Sequence, residues 1–248
     1  MSEKQVWVIP DLQIPWHDKR FVSDGLARVI ADNRRDIGRI ITIGDELDLS
    51  SLGRWSEGYA EQFSKNLNRE RNEWVRIAKE LQVTDTIRSN HTDRLHKQIA
   101  SKIPSLGSLP ELSLENFMRL PELGIRWHPK GLRIKDWLFI HGDEGRTSQV
   151  GGMTAVANTR AMGLNICQGH THRAGLVPTT QSFMGQITRT LWALEVGHAM
   201  DLRRALYTKT HQWQKAFAVL TPIGNTLSPM LVPVMGNRFI YNGKEYRW

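Results

Sequence analysis

The sequence predicts an α/β domain built in layers, with its functional loops at the carboxyl ends of strands. Apolar strand-like runs alternate with amphipathic helical stretches in the first part of the chain. Strand-like runs dominate the second part, and five runs lead straight into an Asp, Asn or His. Residues 5–10 (QVWVIP) read as a strand ending at Asp11, and residues 18–35 as a helix whose buried face is Val22, Leu26, Val29 and Ile30. Residues 39–43 (RIITI) give a second strand, ending at Gly44-Asp45. A long polar segment follows, whose later part sets Trp74, Ile77, Ala78 and Leu81 on one helical face. Residues 84–88 form a third strand running into Asn90-His91. Residues 103–129 hold Pro104, Pro110, Pro121 and Pro129, a density that breaks regular elements, so short helices and loops, a cap-like insertion, are expected there. Further on, strands are expected at 133–140, 164–168, 190–195 and 213–220, and a hairpin at 237–248 turning at Asn242-Gly243.

The 248 residues, 40% of them hydrophobic, show no repeat and no low-complexity linker, and fit a single domain spanning 1–248. Charged residues make up 23%, close to the soluble average, which speaks against a disordered or fibrous chain. The single Cys167 excludes an intramolecular disulfide and a Cys-rich zinc site, and fits a reducing compartment. No apolar run approaches the ~20 residues of a membrane span. The first residues run directly into an apolar strand, against the pattern of a signal peptide. A cytoplasmic protein is expected, with no membrane partner. Residues 1–118 carry 17 Lys+Arg against 18 Asp+Glu, and residues 119–248 carry 16 against 7, so the net +8 comes from the second part. Such a field attracts phosphorylated or polyanionic partners, nucleic acid included, although no run of five basic residues marks a dedicated patch.

Five short motifs place metal-capable side chains just past strands: Asp11-Leu12-Gln13, Gly44-Asp45-Glu46-Leu47-Asp48, Asn90-His91, His141-Gly142-Asp143 and Gly169-His170-Thr171-His172. A lone Asp at a strand end is most often a turn former or helix cap, and a lone His before Gly a hydrogen-bonded core residue. Five in succession on strand ends can instead converge on one crevice. Oxygen and imidazole donors without thiolate suit Mn²⁺, Fe or Zn²⁺ in a reactive site rather than a structural zinc knot.

In this order the motifs resemble those of the calcineurin-like metallophosphoesterases: D-x-H, GDxxD, GNH(E/D), a lone His, then GHxH. Here they read DLQ, GDELD, SNHTD, the His of IHGDEG, and GHTH, covering residues 11–172. The first motif, D-L-Q-x-P-x-H-D over residues 11–18, is similar to the bacteriophage and bacterial branch, as are Glu195-Val196-Gly197-His198 and the Trp213 to Phe217 stretch. The resemblance implies a four-layer α/β/β/α sandwich and two divalent ions, Mn²⁺ foremost, with Fe, Zn²⁺ or Ni²⁺ as alternatives. It implies that Asp11 and His172 bind the first ion, that Asp45 bridges both, and that Asn90, His141 and His170 complete the second. His91 stands beside the ions as proton donor to the leaving alkoxide or as a contact for phosphate. Two ions roughly 3.5–4 Å apart clamp phosphate oxygens and lower the pKa of a bridging water, so that the hydroxide attacks phosphorus in line.

Two positions depart from the pattern. Gln13 stands where the first motif has His, and Ser89 where the third has Gly. A neutral amide oxygen is a poorer zinc ligand than imidazole, so Gln13 is expected to weaken the first site, to tilt it toward Mn²⁺, or to hold a metal-bound water. Of the remaining polar residues, Asp48 orients a ligand or caps the following helix. His17 lines the pocket, substitutes for the missing donor, or sits in an exposed turn. Arg94 binds phosphate or forms a surface ion pair. His198 contacts substrate, and Trp213 either stacks a base or packs a core.

The function expected is a metal-dependent phosphoesterase acting on phosphodiesters of nucleotide or nucleic-acid type, with phosphomonoesters as further substrates, in the host cytoplasm if the chain is phage-encoded. A repair-type DNA exo- or endonuclease is the nearest alternative, although 248 residues leave little room for the capping domain such enzymes carry. A catalytically silent nucleic-acid-binding module that keeps the fold is the alternative from another class. Oligomeric state is not legible.

Overall fold

The structure, a computed structural model, describes residues 4–52, 63–204 and 212–248, with side chains in the second stretch from residue 66. The chain runs through β1 (Gln5–Ile9), a wide π-type turn (Phe21–Leu26) continuing as α1 (Ala27–Asp32), β2 (Ile37–Thr42), α2 (Phe63–Leu81), β3 (Asp85–Ile87), α3 (Asp93–Lys102), α4 (Leu114–Phe117), α5 (Leu120–Leu123) and β4 (Arg126–His128). Then follow β5 (Leu132–Ile134), β6 (Trp137–Ile140), α6 (Met153–Met162), β7 (Asn165–Gln168), β8 (Ala174–Phe183), β9 (Gln186–Val196), β10 (Ala216–Ile223), β11 (Thr226–Pro233), β12 (Arg238–Tyr241) and β13 (Lys244–Arg247).

Two sheets form the middle of the protein. One has the order β11-β10-β1-β2-β3-β4, the other β5-β6-β7-β9-β8. β1 to β4 pair in parallel, as do β6, β7 and β9, so those strands point their carboxyl ends the same way within each sheet. Side chains alternate across each strand. Val6 and Val8 of β1, Ile41 of β2, Phe139 of β6 and Leu194 of β9 meet in the core between the sheets. Trp7, Ile9 and Ile40 face the other way, into a core closed by Val29 and Ile30 of α1, Trp74, Ile77 and Leu81 of α2, and Phe239 and Tyr246 of the β12–β13 hairpin. On the far face, Ala155 and Val156 of α6 cover Ile140, Ile166 and Ala193. The layers are therefore helix, sheet, sheet, helix, the four-layer α/β/β/α sandwich expected from the motifs.

Several elements differ from the expected ones. Residues 133–140 fold as a hairpin, β5 and β6, reversing near Lys135 at φ 55°. β8, β11 and α6 add to the expected set. The proline-rich segment does form short helices, but its second half is anchored in the main core. Met118, Leu120 and Ile125 are buried there, the Trp74 indole donates to the Met118 carbonyl (3.1 Å), and β4 extends the first sheet. The last strand of the first part of the tail starts at Ala216, leaving Trp213 in the loop before it. The terminal hairpin turns at Asn242-Gly243, both at positive φ, with Tyr241 opposite Lys244. Among the described residues no helix is long and apolar enough to cross a membrane.

Candidate metal centre

The loops after β1, β2, β3, β6 and β7 meet where the two sheets face each other, and each brings its polar residue. Asp11 and Gln13 follow β1, Asp45 and Asp48 follow β2, Asn90 and His91 follow β3, His141 follows β6, and His170 and His172 follow β7. Ligand atoms of Asp45, His141 and His170 lie within 4.8 Å of one another, and so do those of Asp11, Asp45 and His172. Asp45 belongs to both groups. The approach is close enough that a Cβ on Gly169 would sit 2.2 Å from Asp11 Oδ1, which is why the chain has no side chain there.

The first group gathers around Asn90. Its Oδ1 lies 2.9 Å from His141 Nε2 and 3.1 Å from His170 Nδ1, and Asp45 Oδ2 lies 3.4 Å from His141 Nε2. His141 Nδ1 is 2.9 Å from the Ile43 carbonyl, which can only accept, so Nδ1 carries the proton and Nε2 faces the cluster. In the second group Asp11 Oδ2 accepts from the His170 N–H (2.8 Å) and lies 3.3 Å from His172 Nε2. The Gln13 amide takes the position beside them, its Nε2 2.8 Å from Asp45 Oδ2 and 3.4 Å from His172 Nε2.

The electrostatics fit a cation. Burial lowers the His141 imidazole, but the Asp45 and Asp11 carboxylates outweigh it and push the ring up to about 10. Burial raises the Asp45 carboxyl, yet His141 and His91 bring it well below the usual range, while burial leaves Asp11 raised. His170 is lowered to about 4 by burial and then by the His141 charge, and His172 to about 3 by burial. Asp11 Oδ1, Gln13 Oε1 and His172 Nδ1 are buried without a hydrogen-bond partner. His170 and His172 thus offer unprotonated nitrogens, whereas His141 and Asp11 hold protons that a bound cation would displace. Carboxylate, amide-oxygen and imidazole donors at these spacings suit divalent ions of the Mn²⁺, Fe and Zn²⁺ type.

His91 stands at the edge of the cluster, its Nε2 3.8 Å from Asp45 Oδ2. Its Nδ1 lies 2.8 Å from the Asp48 carbonyl and 3.3 Å from Asp48 Oδ1, so Asp48 orients the ring. Burial lowers this imidazole, but Asp45 and Asp48 leave it raised on balance. Arg94 is neither free nor in a surface ion pair: it donates to the Asp48 carbonyl (2.6 Å) and holds Nη2 3.1 Å from His91 Nε2.

Other expected site residues lie elsewhere. His17 is buried, not in an exposed turn, and its Nε2 is 3.1 Å from Glu73 of α2; burial lowers it to about 4. It is not among the clustered ligand atoms. His198 is fully buried behind Asp11, with Nδ1 accepting from the Met200 N–H (2.9 Å) and its ring 6.0 Å from His172, a place behind the ligands rather than at the mouth. Trp213 is half-buried, edge-on to His172 at 4.5 Å. Ser89 is buried and bonded within its own turn to Thr92.

Sequence reasoning passed over Arg88 and Glu70, and gave Glu195 no role beyond its place in the Glu195-Val196-Gly197-His198 stretch. Arg88 ties two of the loops together, donating to Asp143 Oδ1 (2.7 Å) and Asp93 Oδ2 (2.6 Å). Glu70 of α2 accepts from the Leu49 N–H (3.1 Å) beneath Asp48. Glu195 of β9 is buried against the loop of His170 and His172. In the sequence Arg88 is signalled by its short spacing from Asn90 and Glu195 by the motif it opens, while Glu70 has no signal.

The four layers and the carboxylate, amide and imidazole cluster at their strand ends define an α/β/β/α sandwich with a candidate metal centre. No family model matches the chain. It is 31% identical over 252 residues to the Gene 54 protein of Mycobacterium phage D29, covering 97% of both chains. It is 31% identical over 258 residues to the Gene 54 protein of Mycobacterium phage L5, covering 98% of both. The chain belongs to the family of these mycobacteriophage Gene 54 proteins. Among solved structures it is similar to Vacuolar Protein Sorting 29 from Cryptosporidium parvum, at a TM-score of 0.47 and 15% identity over 99% of this chain and 95% of that one. It is also similar to wild-type Vps29 complexed with Zn from Entamoeba histolytica, at a TM-score of 0.40 and 14% identity over 97% and 95%.

Proposed function

We propose that this chain is a metal-dependent phosphoesterase of the phage-infected host's cytoplasm, hydrolysing phosphodiesters of nucleotide or nucleic-acid type and, more slowly, phosphomonoesters. The observation that carries the reading is the pair of ligand groups sharing Asp45, with His91 beside them. Asp11, Asp45 and His172, with Gln13, would hold one divalent ion; Asp45, Asn90, His141 and His170 would hold the other. Bound Mn²⁺ ions supply Lewis-acid polarisation of the phosphoryl oxygens and activation of water. The chain's own residues do the rest. Ile43 fixes the His141 tautomer and Asp48 fixes the His91 ring. Arg94 would turn from His91 Nε2 to the incoming phosphate. Nε2 would take up a proton from solvent to give the imidazolium that Asp45 and Asp48 favour, and that proton would pass to the leaving oxygen. The basic second part of the chain favours a polyanionic substrate.

The test is metal analysis together with turnover of bis-p-nitrophenyl phosphate and p-nitrophenyl phosphate in Mn²⁺. Bound metal with faster diester turnover is expected. No metal and no turnover of either ester overturns the reading. The second reading, a silent nucleic-acid-binding module, is favoured by one feature: the Gln13 amide nitrogen lies against Asp45 and His172, where the family pattern has an imidazole. Nucleic-acid binding without turnover would support it.

A further inference from the structure

We infer that Glu195 and Thr171 form a positioning device that sets the His170–His172 loop for metal binding, an inference that rests on the metal-dependent reading above. Glu195 lies on β9 with no exposed surface. Its Oε2 accepts from the Thr171 hydroxyl (3.0 Å) and from the Gly152 N–H (2.9 Å). Its Oε1 accepts from the Ala155 N–H (3.0 Å) and the Gln168 side-chain amide (3.5 Å), and Gln168 in turn accepts from Asn158 (2.7 Å).

Four donors on one buried carboxylate do two things at once. Gly152 is the capping residue just before α6 and has no side chain to cap it, so Glu195 accepts from the N–H groups of Gly152 and Ala155 from a neighbouring strand. The same carboxylate holds the one hydroxyl that lies between two candidate ligands. His170 and His172 are both at positive φ, 67° and 57°, a conformation that needs outside support in residues with a Cβ. Through Thr171 the loop is tied to the amino end of a helix rather than left to set its own geometry. The tie is short-range: a Cβ on Gly175, at the start of β8, would lie 2.5 Å from the Gly151 backbone, so the strand leaving the loop and the segment entering α6 are in direct backbone contact. His170 faces the Asn90 group and His172 faces Asp11, so one tether serves both groups.

The test uses conservative changes at the tether. Thr171→Val keeps the shape and removes the hydroxyl; Thr171→Ser keeps the hydroxyl. Glu195→Gln must turn its NH₂ toward one pair of donors, either Thr171 and the Gly152 N–H or the Ala155 N–H and Gln168. Co²⁺ and Mn²⁺ affinities, the visible spectrum of the Co²⁺ form, and the metal-free melting temperature are measured for each. Glu195→Gln is expected to lower the metal-free melting temperature by leaving one N–H at the amino end of α6 unpaired. Thr171→Val is expected to weaken metal binding on the order of 10-fold, as loss of an outer hydrogen-bonding partner typically does, and to change the Co²⁺ spectrum. Thr171→Ser is expected to restore both, with the metal-free melting temperature of Thr171→Val close to wild type. Wild-type affinity and spectrum in Thr171→Val overturn the inference alone. A wild-type protein that takes up neither metal overturns it together with the functional reading.

Discussion

Glu70→Gln is the substitution whose effect can be worked furthest from the structure. Glu70 is 4% exposed on α2, with Oε2 receiving the Leu49 N–H at 3.1 Å. Burial raises its carboxyl to about 7 from 4.5; the Leu49 hydrogen bond opposes the rise and the Asp48 charge adds to it. The folded protein therefore keeps a proton that the unfolded chain has released. The associated stability is fully present below pH 4.5 and is lost as the pH rises toward about 7. At about 1.4 kcal/mol per tenfold change in proton affinity, the full loss is about 3 kcal/mol. Glutamine keeps the shape and an oxygen for Leu49 but never ionises. In urea titrations of metal-free protein, Glu70→Gln should match wild type in acid and exceed it by about 2–3 kcal/mol at mildly alkaline pH. Bound divalent ions favour the ionised Glu70, so adding Mn²⁺ should shrink the wild-type slope. An unchanged pH slope in the variant, or a variant weaker than wild type in alkali, would refute the reasoning.

Three further substitutions probe the centre. Asp45→Asn removes the residue shared by both ligand groups and should lose both ions by metal analysis, with diester turnover falling by roughly 10³-fold or more. His91→Ala should retain the metals and lose about 10²–10⁴-fold in turnover with little change in KM; full activity would remove His91 from the proton-transfer role. Gln13→His replaces the amide beside Asp45 and His172 with an imidazole and should tighten the weaker of two resolved metal-binding steps by roughly 10-fold, read by calorimetry.

What the sequence made legible follows physical lines. The helical face of Trp74, Ile77, Ala78 and Leu81 is a sharp apolar stripe because α2 packs one side on a sheet and shows the other to water. β8 and β11 are edge strands, so they tolerate Pro178, Pro229 and Pro233 and expose much of their length, and neither gives a clean alternating signal. α6 buries Thr154, Asn158 and Thr159 beside Ala155 and Val156, which erases its hydrophobic period. The candidate ligands were legible because each stands directly past a parallel strand. Glu70 was not, and Glu195 was legible as part of a motif but not in its role, since only the neighbours in space of a carboxylate inside a strand or on a charged helix give it one. His17 and His198 show the converse, with motif positions that the fold spends on its interior.

The backbone carries a further argument for the centre. Of the ten non-glycine residues at positive φ among those described, Gln13, Asp45, His170 and His172 are four, at 51°, 50°, 67° and 57°. Asp45, His170 and His172 are of types that the left-handed region accepts more readily than most, whereas Gln13 is not. The left-handed turns end the extended run of each strand, and in the loop after β7 His170 meets Asn90 while His172 meets Asp11. The geometry brings acceptors together, with Asp11 Oδ2 3.3 Å from His172 Nε2 and Asp45 Oδ2 3.4 Å from His141 Nε2. A cation bound between those atoms should stabilise the fold. At a free Mn²⁺ concentration about 100 times its dissociation constant the gain should be about 2.7 kcal/mol, visible as a rise in melting temperature. Asp45→Asn should abolish that rise. A wild-type melting temperature indifferent to Mn²⁺, Zn²⁺ and Co²⁺ would mean that the strained loops serve something other than a metal.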